Sequence, residues 1–395
     1  MIPFEQAAAI VRQSARLLGA ERAPLAACLH RVLAADVAAD ADMPPFDKSA
    51  MDGFACRRAD LPGPLRVGET IAAGAIPAAA VEAGWCARIM TGAPIPAGAD
   101  VVVKFEDTET LADGSVRCLR PETAGNICKQ GEDLRRGDVV VPRGTWLQPQ
   151  HLALLASVGC AQVPVARRPR VGVLPTGDEL VDASVAPAAG QIRNSNGPQL
   201  AAQVLAAGAE PVSFGTVGDD AAELTRVLRE ALAACDVVVL SGGVSTGDFD
   251  LVPDAMQAAG LQILFDSVAV KPGRPTTFAV APGAWCFGLP GNPVSTFVQF
   301  EFLVKPLLRD LMGCRAEPLV IAARLAAAVS RRKADRQVWL PVELTADGDA
   351  RPLEYHGSAH VHALGRAHGF IVVPVGTTHL EEGTQVRVRP ISATH

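Results

Sequence analysis

Residues 236–250, DVVVLSGGVSTGDFD, constrain this chain more than any other stretch. They open on an apolar, β-branched run, Val237 to Leu240, the pattern of a strand buried on both faces. Gly242 and Gly243 follow at once, where a backbone turns or lets a ligand approach closely. The hydroxyls of Ser241, Ser245 and Thr246 and the carboxylates of Asp248 and Asp250 complete the stretch. A glycine-rich loop at the carboxyl end of a central strand is where open α/β sheets bind ligands. An ordinary strand-to-helix turn, with Asp250 as N-cap before LVPDAMQAAG, accounts for both glycines and one carboxylate. It leaves unexplained why Asp248 and Asp250 share a tip that could hold a hard cation. A phosphate or metal site is therefore expected here.

A chain of 395 residues is too long for one core. The 36 basic and 42 acidic residues give a net charge of −6, which provides no global field for nucleic acid or anionic lipid. Nine scattered cysteines without a C-x-x-C pair suggest reduced thiols rather than a disulfide frame. The first residues lack a basic lead and suit an amphipathic helix better than a signal peptide. No apolar run reaches the roughly 18 residues of a membrane span. The expectation is a soluble, cytoplasmic protein.

Residues 5–18 carry apolar positions at helical spacing, and DADMPPFDKSAMDGFA then crowds Asp47, Lys48, Ser49, Asp52 and Gly53 into one loop. Residues 61–137 read as short strands and turns. IMTGAP ends a strand on Thr91 and Gly92, and Glu132 and Asp133 fall on a loop. A short helix is expected over 149–158. From 168 strands alternate with helices, the grammar of a largely parallel sheet. RVGVLPTGDEL is a buried strand ending in Thr176, Gly177, Asp178 and Glu179. Asp220 and Glu223 form a capping box, which leaves Asp219 without a structural task. Lys271 and Arg274 flank Gly273 in a short cationic turn. Asn292 should cap and Pro293 open a long helix that Pro306 should kink, and its amide-rich start favours an anion. Residues 318–395 return to strands. His360 and His362 should share a strand face near His356, but no cysteine or acidic partner stands at zinc spacing.

If all strands run parallel, Glu179, Asp219, Asp248, Asp250, Lys271 and Arg274 lie along one edge of the sheet. Exposed ion pairs contribute only about 0–1 kcal/mol, so stability does not explain the collection. A phosphorylated ligand with Mg²⁺ does. The chain has no G-x-x-x-x-G-K-[ST] and no G-x-G-x-x-G after a strand, which argues against routine ATP hydrolysis and nicotinamide chemistry.

SAMDGFA, IMTGAPIPAGADVVV, GED, PTGDEL, SGGVSTGDFD, KPGRP and GLPGNPVS occur in that order. The set resembles the molybdopterin molybdenumtransferases, the MoeA family, related to the E domain of gephyrin. The resemblance implies a multidomain α/β plus β chain. It has an α/β molybdopterin-binding domain (1–18 and 168–317), a linking domain (19–44 and 138–167), a β-rich domain (45–137) and a C-terminal β-barrel-like domain (318–395). It implies insertion of molybdate into adenylylated molybdopterin, with Mg²⁺-dependent release of AMP. It also implies a homodimer whose active site joins the α/β domain of one subunit to the β-rich domain of the other. Partners would be the molybdopterin adenylyltransferase and proteins that deliver the cofactor to molybdoenzymes.

Carried over by motif, the catalytic set is Asp52, Thr91, Asp133, Glu179, Asp219, Asp250 and Lys271. Glu179, Asp219, Asp248 and Asp250 would hold Mg²⁺, and Gly242, Gly243 and Ser245 with Lys271 would meet phosphate. Pro290, Gly291 and Asn292 would bind the cofactor, and Arg274, Ser295, Arg336 and Ser358 would contact the oxyanion. Three positions depart from the family's habit: Cys128 and Ser267 replace frequent basic residues, and Pro341 replaces an arginine that often follows the Arg336 segment. Lys129, Arg135 or Arg136 are candidates to replace the first charge. Two other readings are a molybdopterin adenylyltransferase, which shares the TGDE and SGG motifs, and a gephyrin-like scaffold without catalysis. The β-rich insertion and C-terminal strands oppose the first. The intact acidic set opposes the second.

Overall fold

A computed structural model describes residues 1–244, 251–315, 317–355 and 357–391. Ser245, Thr246, Asp248, Asp250 and His356 lie outside the described residues. The chain forms two compact units: the first comprises Met1–Ala35, Gly144–Gln148 and Pro164–His395, the second Asp36–Arg143 and Pro149–Val163. Among the described residues no helix is long and apolar enough to cross a membrane.

In the first unit, α1 (Phe4–Ser14) precedes a six-stranded sheet. Its strands are β1 (Arg170–Pro175), β2 (Glu210–Ser213), β3 (Val237–Ser241), β4 (Gln262–Ser267), β5 (Pro275–Ala281) and β6 (Ala284–Leu289), in the order β2-β1-β3-β6-β5-β4. Every residue of β3 is buried. Val237 and Val239 join one core with Phe4, Val11, Leu200 and Val204, while Val238 and Leu240 join another with Leu224, Leu228, Val252 and Met256. That two-sided division is the physical reason for an uninterrupted apolar run. The helices α1, α2 (Asn196–Ala206), α3 (Ala221–Ala234) and α4 (Leu251–Ala258) supply these covering residues. The Asp220 side chain accepts the Glu223 N–H at 2.8 Å and fixes the start of α3, as its sequence position predicts.

The sheet is not wholly parallel. β2, β1, β3 and β6 run together, whereas β5 is antiparallel to both β6 and β4. Pro282–Gly283 closes a hairpin between β5 and β6, with Ala281 facing Ala284 and Gly283 at a φ of 81°. The reversal preserves the expected placement. β5 begins at Pro275 beside the carboxyl end of β6, so Lys271 and Arg274 still reach that edge.

After β6 come α5 (Pro293–Gln299), a π turn (Phe300–Val304) and α6 (Lys305–Leu311). The expected kink at Pro306 is thus a wider helical turn just before it, which accommodates the missing N–H. Phe302 of that turn stacks on Trp339 at 3.7 Å between ring centroids and meets Phe370 edge-on. These rings seat the C-terminal sheet, whose path runs Val270–Lys271, Gln337–Leu344, Gly369–Val373, Gln385–Pro390 and Ile321–Arg324. His360 and His362 do not share a strand face. Val361–Arg366 is a 3-10 turn with His360 before it.

In the second unit a four-stranded sheet runs Arg66–Ile71, Trp85–Ile89, Gly53–Cys56, Val101–Lys104. Gly53 is required there, because a Cβ would strike the Val103 carbonyl. The helix Pro149–Ser157 forms where the sequence places one.

Candidate active site

The carboxyl edge of the first unit's sheet is built from successive strand ends. Past β1, Thr176 donates its N–H to the Ser241 carbonyl at 2.8 Å, and Gly177 donates to Val217 at 3.0 Å. Asp178 accepts the Asp219 N–H at 3.0 Å, so one carboxylate joins the two loops that carry Glu179 and Asp219. Glu179 and Asp219 are both exposed. Sequence reasoning missed this tie, since Asp178 and Asp219 are separated by 41 positions.

Past β3, Gly242 donates its N–H to the Leu289 carbonyl at 3.0 Å. The expectation that both glycine amides face a phosphate therefore needs correction at Gly242, because β3 pairs with β6 one residue further and uses that donor. The glycine has a steric task instead. It sits at a φ of 109°, and a Cβ there would strike the Thr176 carbonyl and hydroxyl oxygens. Gly243, at a φ of 62°, lies against Val252. Beneath them Asn196 donates from Nδ2 to Ser241 Oγ and to the Gly291 carbonyl, both at 2.7 Å. The N-S-N run at the start of α2 reads in sequence only as a polar cap. In the structure its second asparagine joins the ends of β3 and β6.

The Pro290–Gly291–Asn292 turn leads into α5. Asn292 occupies the N-cap position, but its side chain makes no capping bond and donates from Nδ2 to Ser358 Oγ at 2.9 Å. The Ser358 carbonyl accepts the Val294 N–H at 3.0 Å. Ser358 thus arrives from the C-terminal segment onto the start of α5, and its hydroxyl oxygen accepts the Asn292 amide there. Ser295 is 3 % exposed within the first turn.

The cationic turn lies past β4. Lys271 and Arg274 are exposed, while Pro272 and Gly273 between them are buried. Val270 and Lys271 pair in parallel with Gln337 and Val338, which brings Arg336 alongside. Arg336 has its carbonyl held by Arg331 Nη1 at 2.6 Å, and its Nε lies 3.5 Å from Asp335.

In the second unit the loop around residues 47–52 is tied to two others. Lys48 and Ser49 pair with Cys128 and Ile127, and the Ser49 carbonyl accepts the Gly92 N–H at 2.8 Å. Asp52 accepts the Thr91 N–H at 2.7 Å and the Thr91 hydroxyl at 2.8 Å. These bonds, the backbone one first, hold the Asp52 carboxyl below the usual carboxylate range. Asp47 is likewise lowered, first by Lys129 Nζ at 2.7 Å and then by the Gln130 N–H at 2.8 Å. Lys129 remains largely exposed and so keeps a cation next to Cys128. Burial and a hydrogen bond with Glu132 push the Cys128 thiol up, so it stays protonated at neutral pH. Asp133 is exposed, with its N–H bonded to the Met43 carbonyl at 3.0 Å.

Among the described residues no group of three or more His, Cys, Asp or Glu side chains is arranged to hold a metal ion. Glu179 and Asp219 are the described half of the expected Mg²⁺ set. As exposed carboxylates on adjoining strand ends, they are hard oxygen donors of the type Mg²⁺ prefers.

Comparison with known proteins covers nearly the whole chain. Residues 2–159 match the MoeA N-terminal region (domain I and II), 172–310 a probable molybdopterin binding domain, and 322–391 the MoeA C-terminal region (domain IV). A molybdopterin molybdenumtransferase of Bacillus subtilis is 37 % identical over 374 residues, spanning 91 % of this chain and 87 % of that one. One of Staphylococcus aureus is 36 % identical over 398 residues, spanning 98 % and 95 %. The crystal structure of a molybdopterin biosynthesis MoeA protein from Pyrococcus horikoshii superposes with a TM-score of 0.86 at 29 % identity, covering 99 % of this chain and 100 % of that one. The ordered motifs, the strand-end site and these similarities agree: the chain belongs to the MoeA family, the molybdopterin molybdenumtransferases.

Proposed function

We propose that this transferase of molybdenum-cofactor biosynthesis inserts molybdate into the dithiolene of adenylylated molybdopterin and releases AMP in a Mg²⁺-dependent step. The observation that carries the reading is the distribution of charge along the sheet edge. Acidic loops follow β2 and β1, a glycine-lined floor follows β3 and β6, and the cationic turn enters β5. From β1 to β5 is three interstrand spacings, about 14 Å. That strip suits an extended ligand with a metal-bridged phosphoanhydride at one end and an oxyanion at the other.

Glu179 and Asp219, together with Asp248 and Asp250, would hold Mg²⁺, which would neutralise phosphoanhydride oxygens. Lys271 and the Gly243 amide meet phosphate. Arg274, Arg336 and the Ser358 hydroxyl take the molybdate oxyanion, and Pro290 and Gly291 line its approach. Lys129 supplies a cation in place of Cys128. The Thr91 hydroxyl proton is committed to Asp52, so Thr91 fixes the carboxylate rather than donating to substrate. The Asp52–Thr91 pair and Asp133 serve a composite site in a cytoplasmic homodimer. A molybdopterin adenylyltransferase supplies the substrate, and delivery proteins take the product.

The test is incubation of the purified protein with adenylylated molybdopterin, molybdate and Mg²⁺, followed by measurement of AMP and active cofactor. Release that requires both molybdate and Mg²⁺ is expected. Release that is indifferent to chelation and to molybdate refutes the finer reading.

A further inference from the structure

We infer that Gln299 is a positioning residue that holds the Lys271–Arg274 turn in its working shape. The inference rests on the proposed role of that turn in binding anions. Gln299 is 0 % exposed and stands between Val298 and Phe300, which are also fully buried. Its Nε2 donates to the Pro272 carbonyl at 3.2 Å. A carbonyl only accepts, so the nitrogen end of the amide must face the turn. Gly273, at a φ of 100°, lies directly on the Gln299 side chain, leaving no room for a Cβ. On the other side Thr276, also 0 % exposed, donates from Oγ1 to the Gly273 carbonyl at 2.8 Å. Two buried side chains therefore clamp the two buried residues of a turn whose cationic ends are exposed.

Stability alone does not account for this arrangement. Gln299 Oε1 is buried without a hydrogen-bond partner among the described residues. A half-satisfied buried amide is less favourable than an apolar side chain of similar size. The π turn that follows already serves packing through Phe302, so it does not need a glutamine before it. The amide makes sense if the shape of the turn matters more than the energy of the core.

Gln299→Met tests this with the full-length protein, alongside Lys271→Ala and the double variant. The expected results are a melting temperature equal to or above wild type, faster deuterium uptake across residues 268–277, and turnover lowered roughly tenfold or more by the misplaced cation. Adding Gln299→Met to Lys271→Ala should cost less than Gln299→Met costs alone, because part of its effect passes through Lys271 and the rest through Arg274. Additive losses, or unchanged uptake with unchanged turnover, overturn the inference. Gln299→Leu likewise offers no donor to Pro272, and it carries the same readouts should the methionine variant not fold. If Lys271→Ala is fully active, the anion role of the turn has failed. Deuterium uptake alone then decides whether Gln299 positions it.

Discussion

Gly242→Ala separates a steric role at the strand end from a hydrogen-bonding one. The residue holds a φ of 109°, and the new Cβ would meet the carbonyl and hydroxyl oxygens of Thr176. Thr176 cannot retreat easily, being 5 % exposed and bonded through its N–H to Ser241. A side chain forced into this backbone region costs about 1–3 kcal/mol, and overpacking a filled site about 1–3 more, so the whole loss should be about 2–6 kcal/mol. Gly190→Ala is the control. Its φ is 84° but nothing lies within 4 Å of the added Cβ, so it should show only the backbone cost of about 1–2 kcal/mol. Urea unfolding followed by tryptophan fluorescence gives both values. Agreement of the two variants within about 0.5 kcal/mol would refute the steric argument and return Gly242 to a ligand-facing role.

Thr91→Val removes one of two donors to Asp52, leaving the backbone N–H that lowers its pKa most. The Asp52 carboxyl should therefore titrate higher, but still below the ordinary range. Because its folded-state pKa is depressed, its contribution to stability is present above the unfolded value and lost as pH falls through the folded one. A carbon-detected pH titration that leaves Asp52 unmoved contradicts the bond. Asp220→Ala should cost about 0.5–2 kcal/mol in the same urea assay, through loss of the α3 cap, without changing turnover; a changed turnover would place Asp220 in the site. Mixing inactive Asp52→Ala with inactive Lys271→Ala should restore about a quarter of wild-type activity once subunits exchange, since half the dimers are mixed and each has one intact site. Exchange without recovery excludes the composite site.

Much of the fold was legible because its causes are local. The apolar run at Val237–Leu240 needs two covering layers, and the structure supplies two cores on alternate residues. The Asp220 cap spans only three positions, and of the expected capping box this half forms, while the Glu223 carboxylate turns to Arg226. The direction of β5 is less local, yet its signal was present in the Pro282–Gly283 pair, a hairpin turn inside what reads as one strand-rich segment. The histidines misled for a different reason. Alternation at two positions fits a strand, but residues 361–366 coil into a 3-10 turn beside α5.

The site was legible as residue types and illegible as bonds. Asp52 and Thr91 meet across 39 positions, Asn196 and Gly291 across 95, Asn292 and Ser358 across 66, and Gln299 and Pro272 across 27. No periodicity encodes such pairs, because each depends on how separate elements approach. This changes the chemistry assigned to a motif. Gly242 lies in the expected loop, but its N–H belongs to the sheet. Asn292 stands at the helix start, but its amide donates to the Ser358 hydroxyl oxygen instead of capping the helix. A motif thus names the groups gathered at a strand end, and the hydrogen-bond partners of each group decide which of them remain available to a ligand.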